Sequence, residues 1–408
     1  MVDKKRALAV ALPLLAALIL ASACAPGPTT TEGKKVELGA IWGMTGPAAV
    51  SLQIQTMAIQ DYFRYFNEQG VIPGVSIVLS WADDMLQTPL LYSHYEKFVE
   101  RGVPLIFMEE VTGLVGLKDR FEKDKVVIFM PGSGYQEANY PPGWRYATSP
   151  TIAEQAASVF RYFKENWQSQ EAPRLAIIGI ESPWGYEPRY AMEYARSLGF
   201  EVLPPESVPF VTLDATGQLL RLKESGADLV YIQGLPMASG PVLRDAERLG
   251  LMGQIQFAGH QSSMGERVIQ MTGVASEGYL IPRPFPWFDE TEIPGIKLML
   301  ETQMKYHGKL TREGECFFGW VSASVVCEAI KRAIEKVGYD NLDGPAIKEA
   351  LDSIKSFDAY GLATVSYHAD DHRGVTQVAI YQVKKGKIVR ICESEETPVL
   401  GAVKQVQS

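Results

Sequence analysis

The chain has 408 residues, of which 46% are hydrophobic and 21% are charged, and its formal net charge is −9. These values are those of an ordinary globular protein, and at this length two lobes are more usual than one core. The acidic balance argues against a basic surface for polyanions, so we expect no nucleic-acid partner.

The N-terminal segment has the order of a secretory signal. Basic residues precede an apolar stretch over residues 7–20, and the small residues 21–23 lead to Cys24. This order predicts a signal peptide over residues 1–23. The alternative is an uncleaved membrane helix. It is disfavoured because the apolar stretch is shorter than a span of about 20 residues and contains Pro13.

A cysteine directly after small residues makes this segment resemble a bacterial lipoprotein signal, in which Cys24 becomes the acylated N-terminus. The resemblance implies an exported chain, anchored by lipid on the extracytoplasmic side of the membrane. Loss of residues 1–23 removes three basic residues and one acidic residue, so the net charge changes from −9 to about −11. Residues 24–35 lack large apolar side chains and are predicted to be a flexible tether.

Strand and helix patterns then alternate in a first series. Strands are predicted over residues 36–42, 75–81, 104–108 and 126–130, and helices over residues 51–67, 90–100 and 114–121. Apolar strands between amphipathic helices indicate a parallel sheet that is covered on both faces.

A second series follows the turn at residues 140–143. Helices are predicted over residues 152–167, 186–198, 216–223 and 241–249, and strands over residues 175–180, 201–203, 229–233 and 256–258. Two such series predict an α/β protein with two doubly wound parallel-sheet lobes.

The remaining residues are less regular. Helices are predicted over residues 296–306, 319–337 and 345–354. Two strands at residues 377–383 and 387–392, joined by a short Lys-Lys-Gly turn, predict a β-hairpin.

With Cys24 assigned to lipid, three cysteines are left. The sequence leaves two alternatives open: a disulfide between Cys316 and Cys327 that leaves Cys392 free, or three buried thiols.

The sequence lacks the common catalytic and metal-binding motifs. The motifs G-x-S-x-G, G-x-G-x-x-G and H-E-x-x-H do not occur, and no C-x-x-C pair suggests zinc. His368 and His372 flank two aspartates, and we interpret this polar segment as a solvated turn before the hairpin rather than as a metal site. Asp83 and Asp84 are adjacent at a strand end, where their side chains point to opposite sides, so we interpret them as residues that stabilise a helix start or a loop and not as an acid/base pair. We therefore expect a protein that is not an enzyme and that binds no cofactor and no metal.

Ligand capture fits what is left. Ligands of parallel α/β sheets bind beyond the carboxyl ends of the strands. Loops rich in Gly, Ser and Pro follow six predicted strands, at residues 42–47, 110–113, 131–134, 182–186, 233–236 and 259–262. We expect these loops to face one another across a cleft between the two lobes.

Seven short motifs between residues 36 and 391 carry a family resemblance. They are residues 43–47 (GMTGP), 67–70 (NEQG), 82–84 (ADD), 184–186 (WGY), 227–230 (ADLV), 371–374 (DHRG) and 386–389 (GKIV). In this order the chain resembles extracellular solute-binding proteins of the leucine/isoleucine/valine-binding type, which serve ABC transporters.

The resemblance implies the type I periplasmic-binding fold, with three crossovers between lobes and closure of the cleft by hinge bending. It places the first lobe at residues 36–149 and 280–358, the second at residues 150–279 and 359–395, and a tail at residues 396–408. The implied partners are a small-molecule ligand and a membrane permease, and we expect a monomer.

The resemblance also suggests site residues. Thr112 or Gly113 corresponds to the carboxylate-binding position, Gly132, Ser133 and Gly134 to the loop that faces the ammonium group, and Ser51 to a cleft tyrosine. Trp184 and Trp320 correspond to cleft aromatics, and Gln261 stands where the family has an acidic residue.

A buried ammonium without a carboxylate is costly, so Gln261 argues against a branched-chain amino acid. The hypothesis from the sequence is a small neutral amide, or a carboxylate without an α-ammonium, between Trp184 and Trp320. For Trp320 core packing is an equally good interpretation. The leading function is a lipid-anchored receptor of an importer that takes an amino-acid-like, amide or carboxylate ligand. The alternative is a ligand sensor of the same fold that reports to a signalling partner.

Overall fold

The computed structural model describes residues 33–400. The first strands and helices, numbered in chain order, are β1 Lys34–Trp42, α1 Ala49–Glu68, β2 Val75–Asp83, α2 Thr88–Glu100, β3 Leu105–Met108, α3 Val111–Gly116, α4 Lys118–Asp124, β4 Val127–Gly134, α5 Gln136–Asn139 and β5 Arg145–Thr151. β3 and β4 are buried along their whole length, as expected of parallel strands covered on both faces.

The next elements are α6 Ile152–Glu165, β6 Arg174–Ile180, α7 Met192–Ser197, β7 Glu201–Val202, β8 Glu206–Val208, α8 Thr216–Glu224, β9 Leu229–Gln233, α9 Pro236–Arg248, β10 Gln256–Gly259, α10 Glu266–Thr272 and β11 Leu280–Arg283. The helix predicted over residues 186–198 starts instead as a 3₁₀ helix, Trp184–Ala191. Pro188 explains the difference, because it has no N–H to donate to an α-helical bond.

The last elements are α11 Pro294–His307, α12 Gly314–Val337, α13 Gly344–Asp352, β12 Phe357–Asp358, β13 Thr364–Val365, β14 Gln377–Lys384 and β15 Lys387–Glu396. β14 and β15 pair antiparallel, which confirms the predicted hairpin. None of the helices within residues 33–400 has the length and apolar character needed to cross a membrane. The predicted signal peptide, Cys24 and most of the tether precede the described residues.

Two large sheets organise these elements in the part of the chain that the structure describes. The first has five parallel strands in the order β2-β1-β3-β4-β5. The second has eight strands in the order β15-β14-β11-β10-β9-β6-β7, with β8 beside β6. Its strands are parallel except for the hairpin, which joins it antiparallel through β14. We call the two sheets with their helices the first and second lobe.

The chain passes between the lobes after β5, after β11 and before β14. The sequence places the first two boundaries at residues 149/150 and 279/280. In the structure β5 ends at Thr151, and β11 pairs with β10 at Leu280 and with β14 from Leu280 to Arg283, so both predicted boundaries lie within four residues of these strand ends and stay predictions. The third boundary, at residue 358/359, falls in the β12–β13 ribbon that precedes β14.

α12 packs closely against α1 in the first lobe. A Cβ atom at Gly319 would lie 2.4 Å from the Gln55 carbonyl oxygen and 2.7 Å from Ala58 Cβ. Only a glycine permits this separation, which brings the N-terminal turns of the two helices to one side of the lobe.

The turn at residues 368–374 is not solvated along its length, so that expectation is wrong. His372 and Arg373 are buried, and the His372 ring stacks on Tyr146 with centroids 4.0 Å apart. Arg373 Nη1 pairs with buried Glu154 at 2.6 Å. Because Ala147 bonds the backbone of both His372 and Gly374, the turn is held against β5 where the chain passes between lobes. Within residues 33–400, no group of three or more potential metal ligands is present.

Asp83 is a loop device, as predicted. Its Oδ1 accepts from the backbone N–H groups of Met44 and Met85, and its Oδ2 accepts from the Thr45 hydroxyl over 2.7 Å. The carboxylate therefore fixes the loop after β1 against the loop after β2.

Candidate functional site

An interlobe cavity of about 440 Å³ lies where the carboxyl ends of the strands of the two lobes face each other. This volume is in the range of sites that enclose a small molecule. The first lobe lines it with Trp42, Pro47, Ala48, Ser51, Leu52, Gln55, Met85, Leu86, Glu109, Glu110, Val111, Gly132, Ser133, Tyr135, Glu315 and Phe318. The second lobe lines it with Glu181, Ser182, Pro183, Trp184, Phe210, Leu235, His260 and Ser262.

A buried carboxylate ties together the first-lobe wall. Gln55 Nε2 of α1 donates to Glu109 Oε2 over 3.1 Å, and the Gly132 N–H of β4 donates to Glu109 Oε1 over 2.8 Å. Burial raises the pKa of Glu109, and these two hydrogen bonds oppose the rise. Glu109 follows β3 directly, so one side chain links β3, β4 and α1 at the cavity.

The first turns of α12 add Glu315 and Phe318 to the wall. Glu315 is only 5% exposed, and burial, followed by the nearby Glu313, raises its pKa to about 7. Interaction with the Ser51 hydroxyl opposes this rise. Among the described residues, Glu315 Oε1 has no hydrogen-bond partner. A ligand that donates a hydrogen bond there would recover part of the cost of burying this atom.

The second-lobe wall is largely aromatic and apolar. Trp184, half-buried at the start of its 3₁₀ helix, packs edge-on against the His260 ring with centroids 5.3 Å apart. Phe210 and Leu235 continue this surface. Together with Trp42 and Phe318 from the first lobe, these side chains form a mainly apolar enclosure.

The lobes meet at Ser133, which lies on β4 of the first lobe. Its Oγ lies 3.0 Å from His260 Nε2, 2.8 Å from Gln155 Nε2 and 3.1 Å from Gln261 Nε2. All three partners belong to the second lobe, so one hydroxyl gathers three contacts across the cleft. We call these four residues the Ser133 junction.

The tautomer of His260 fixes the direction of its bond. Its Nδ1 accepts from the Ser262 N–H over 3.2 Å, so in the neutral ring the proton sits on Nε2 and is donated to Ser133. Burial, followed by the charge of Arg283, lowers the pKa of His260 to about 3. A ring that donates to the serine is not placed as a general base for it, and the pair acts as a contact between lobes.

The family of the chain is now evident from comparison with known proteins. A family model described as periplasmic binding protein matches residues 35–387. The chain belongs to this family. The two lobes with a cleft between them are its architecture, which confirms the predicted resemblance and the predicted fold class.

Relatives of this periplasmic binding protein are distant in sequence. Leu/Ile/Val-binding protein homolog 7 of Brucella melitensis is 21% identical over 370 residues, which cover 84% of this chain and 86% of that protein. A branched chain amino acid ABC transporter protein from Thermus thermophilus, solved with bound valine, superposes with a TM-score of 0.82 at 24% identity, covering 90% of this chain and 98% of that one.

A fatty acid ABC transporter substrate-binding protein from Thermomonospora curvata superposes with a TM-score of 0.78 at 19% identity, covering 91% of this chain and 95% of that one. At these identities the superpositions establish the fold. The names of the two solved proteins refer to different solutes, so the solute of this chain has to be argued from its own residues.

Four of the predicted site residues lie at the cavity of this periplasmic binding protein: Ser51, Gly132, Ser133 and Trp184. Gly132 is needed there as a glycine, because a Cβ would lie 2.7 Å from Glu109 Oε1. Their use by a ligand stays a prediction.

Three predicted residues near these loops do not line the cavity. Thr112 is exposed, and it belongs to α3, which starts at Val111, and not to a loop. Gly113 packs on Leu91, and its N–H donates to Glu110 Oε2 over 2.6 Å. Gly134 packs against Asn139 instead, since a Cβ there would lie 2.5 Å from Asn139 Oδ1.

Gln261 and Trp320 also lie outside the cavity lining. Gln261 is buried and reaches Ser133, and its Oε1 has no hydrogen-bond partner among residues 33–400. Trp320 is 1% exposed and packs edge-on against Tyr62 with centroids 5.1 Å apart. The structure therefore does not bring Trp320 opposite Trp184, and Phe318, two residues earlier, is the α12 aromatic at the cavity.

Carboxylates line the cavity from other positions than Gln261. Glu109, Glu110, Glu181 and Glu315 all line the cavity. Glu109, Glu110 and Glu181 follow the carboxyl ends of β3 and β6, where ligands of parallel sheets bind, so the sequence carries a signal for these three. Glu315 comes from a helix that is buried on most sides, and the sequence has no signal for which side meets the cavity.

Cys316, Cys327 and Cys392 are free in the structure, and the first two are buried. The alternative pairing of Cys316 with Cys327 is absent. Buried thiols are confirmed for Cys316 and Cys327, whereas Cys392 is a thiol that is only partly buried.

Proposed function

We propose that the mature chain is a lipid-anchored solute-binding receptor of an ABC importer, which captures a small ligand in the interlobe cavity by hinge closure. The observation that carries the proposal is the Ser133 junction beside the cavity. Three second-lobe donors reach one first-lobe hydroxyl, so the lobes are held together where a solute would be enclosed. Coupling of closure to ligand binding follows from population shift.

The ligand is proposed to be small and amino-acid-like, an amide or a carboxylate. The names of the relatives, which include leucine, isoleucine, valine and fatty acid, support solutes that have an apolar body and a polar head. The cavity has the same division, with Trp184, Phe210 and Phe318 as apolar wall and Glu109 and Glu315 as polar wall.

Lipid attachment at Cys24, export and delivery to a membrane permease are part of the proposal. The lipoprotein-like order of residues 1–24 supports attachment. Multiple acyl chains are needed for lasting anchorage, because one chain binds a membrane only marginally. A Cys24→Ala variant is expected to lose incorporation of radiolabelled palmitate and to leave the membrane fraction, whereas palmitate labelling that persists in the variant would contradict attachment at this residue.

A sensor of the same fold is the second candidate. It would use the same cavity and closure, but its partner would be a signalling protein instead of a permease. Reconstitution of the chain with a candidate ABC permease and its ATPase from the same host distinguishes the two, because only a transport receptor stimulates solute uptake into vesicles.

Native mass spectrometry of the protein purified from its own host tests capture itself. We expect one small molecule per chain that is released on denaturation, and a smaller radius of gyration in X-ray scattering when it is bound. A chain that carries no solute, and whose scattering is unchanged by any extract fraction of its host's growth medium, would contradict a receptor function. Size-exclusion chromatography with light scattering checks the proposed monomer.

A further inference from the structure

The interlobe cavity carries an unbalanced charge. Glu109, Glu110, Glu181 and Glu315 line it, and among the described residues that line it none is a lysine or arginine. His260 is the remaining titratable base at the wall, and its lowered pKa of about 3 keeps it neutral. Behind the lining, Arg267 and Arg283 interact electrostatically with Glu315 and offset part of this charge. Four carboxylates at the wall against these two arginines favour a positively charged ligand over an anion.

Two backbone donors of the first lobe are already bound to glutamates. Glu109 Oε1 accepts from the Gly132 N–H over 2.8 Å at the cavity wall. Glu110 Oε2 accepts from the Gly113 N–H over 2.6 Å at the start of α3. The chain therefore supplies its own anion to each N–H group, and a ligand carboxylate that used either donor would have to displace a glutamate.

Two of the carboxylates contact the same helix of the wall. Ser51 interacts with Glu315, and Gln55 bonds Glu109. Ser51 and Gln55 are one turn apart on the same face of α1, so both carboxylates are held by that face. Phe318 adjoins both sites, because it follows Glu315 by three residues on α12 and its Cδ2 lies 3.5 Å from the Cβ position of Gly132.

Glu315 Oε1 is the buried acceptor that lacks a partner. The residue is 5% exposed, lines the cavity and has no donor for this atom among residues 33–400. A protonated nitrogen placed there would satisfy the atom and balance the charge, whereas a carboxylate would add a like charge.

We propose that the ligand is an organic cation with an apolar body and no carboxylate, whose protonated nitrogen binds Glu315 beside Glu109. The aromatic side chains Trp42, Trp184, Phe210 and Phe318 enclose the apolar body and are suited to cation–π contact. This inference rests on the receptor function proposed above, and it replaces the amino-acid-like, amide or carboxylate ligand of that proposal with an amine.

The test uses four compounds that share one isobutyl body and differ in charge: 3-methylbutylamine, 3-methylbutanamide, 3-methylbutanoate and leucine. Isothermal titration with the ligand-free protein at pH 7.5 is expected to show the amine binding at least about tenfold more tightly than the amide, the carboxylate and leucine. A set with a benzyl body, led by 2-phenylethylamine, covers a larger solute with the same charges.

The outcomes are distinct. If leucine or 3-methylbutanoate binds as tightly as the amine, the inference is overturned and the receptor function is supported. The same holds if the affinity for the amide equals the affinity for the amine. If no member of either set binds, the inference is overturned, and the solute found in native mass spectrometry decides separately about the receptor.

Variants locate the charge that is responsible. Glu315→Gln keeps the shape of the side chain, so it is expected to weaken the amine at least about tenfold and to change amide binding less than about twofold. Glu109→Gln is the second variant, with the same expected direction. The matched control is Glu193→Gln, because the Glu193 side chain is 89% exposed and remote from the cavity lining. Unchanged amine binding in both cavity variants would overturn the inference.

Discussion

Ser133 on β4 and His260 after β10 belong to different lobes, yet Ser133 Oγ and His260 Nε2 are 3.0 Å apart. Gln155 and Gln261 of the second lobe reach the same oxygen. A hydroxyl oxygen has two lone pairs, so the three contacts share it, and its removal affects all three.

Ser133→Ala is therefore expected to favour the open form. In the closed form of the variant three buried N–H groups lose an acceptor, whereas in an open form water is able to hydrate them. We expect a larger radius of gyration by X-ray scattering and an affinity for 3-methylbutylamine about tenfold lower or more. Ser197→Ala, which removes an exposed hydroxyl in α7, is the control. A variant that stays as compact as the wild type would contradict a closing role.

The two tryptophans predicted from the sequence as site residues are expected to behave differently. Trp184→Ala removes cavity wall from a half-buried position, so ligand affinity falls about tenfold or more while stability changes little. Trp320→Ala opens a void in the core beside Tyr62 and is expected to cost about 3–5 kcal/mol of unfolding free energy. Titration and chemical denaturation of both variants check this, and a Trp320 variant that unfolds like the wild type would contradict core packing.

Most of the fold was predictable because apolar strands and amphipathic helices differ in period. The strand β5 is not predictable in this way, because its sequence is largely polar and is typical of a linker. In the structure the hydroxyl groups of Thr148 and Ser149 donate to the carbonyl oxygens of Pro131 and Gly132. These hydrogen bonds hold β5 in the sheet without the apolar side chains by which a buried strand is recognised.

The site was predictable only in part, for a related reason. Strand ends point to Ser133 and Trp184, because the carboxyl edge of a parallel sheet is fixed by topology. α12 is buried on most sides over its first four turns, so its periodicity does not distinguish Phe318, which faces the cavity, from Trp320, which faces Tyr62. That choice depends on how α12 rotates against α1, which close packing at Gly319 determines.

Buried glutamates are expected to make the stability of the unliganded protein depend on pH. Burial raises the pKa of Glu187 to about 8 and that of Glu315 to about 7, whereas both ionise near 4.5 when unfolded. Glu187 accepts from the Gln136 N–H and faces Arg189 and Glu137, and Glu315 faces Glu313 and Arg267. Above pH 4.5 the unfolded chain binds fewer protons than the native one, so these groups lower stability as pH rises towards 8.

Two buried histidines, His260 and His372, limit the pH range in which the effect of the glutamates is measured alone. Burial lowers their pKa values to about 3 and about 4, so they oppose the glutamates below the usual histidine value of 6.5. From pH 6.5 to 8.0 Glu187 alone is expected to remove about 2 kcal/mol of stability. Denaturant titrations at both pH values check this. Glu187→Gln should flatten the profile and Glu193→Gln should not, and equal slopes in the two variants would contradict the assignment to Glu187.

The ion pair between Arg373 and Glu154 is buried where the chain passes between lobes. Arg373→Met is expected to lower stability by about 3–5 kcal/mol, because it leaves Glu154 charged without its partner. The Arg161–Glu395 pair is more exposed, with side chains that are 24% and 54% exposed, so Arg161→Met should cost about 1 kcal/mol or less. Urea denaturation compares the two, and similar losses would show that the buried pair contributes no more than the exposed one.

The thiols should differ in reactivity. Cys316 and Cys327 are buried, and burial raises their pKa values, whereas Cys392 is partly exposed. In a Cys24→Ser chain we expect one equivalent of a thiol reagent to react before unfolding and three afterwards. Three equivalents reacting at once in the native protein would contradict the buried positions.

A crystal structure of the protein with its copurified solute tests the central claim most directly. The account predicts one small molecule in the interlobe cavity, with its apolar part among Trp184, Phe210 and Phe318 and a nitrogen within hydrogen-bond distance of Glu315 Oε1. A solute bound elsewhere, or one whose carboxylate faces Glu315, would contradict it.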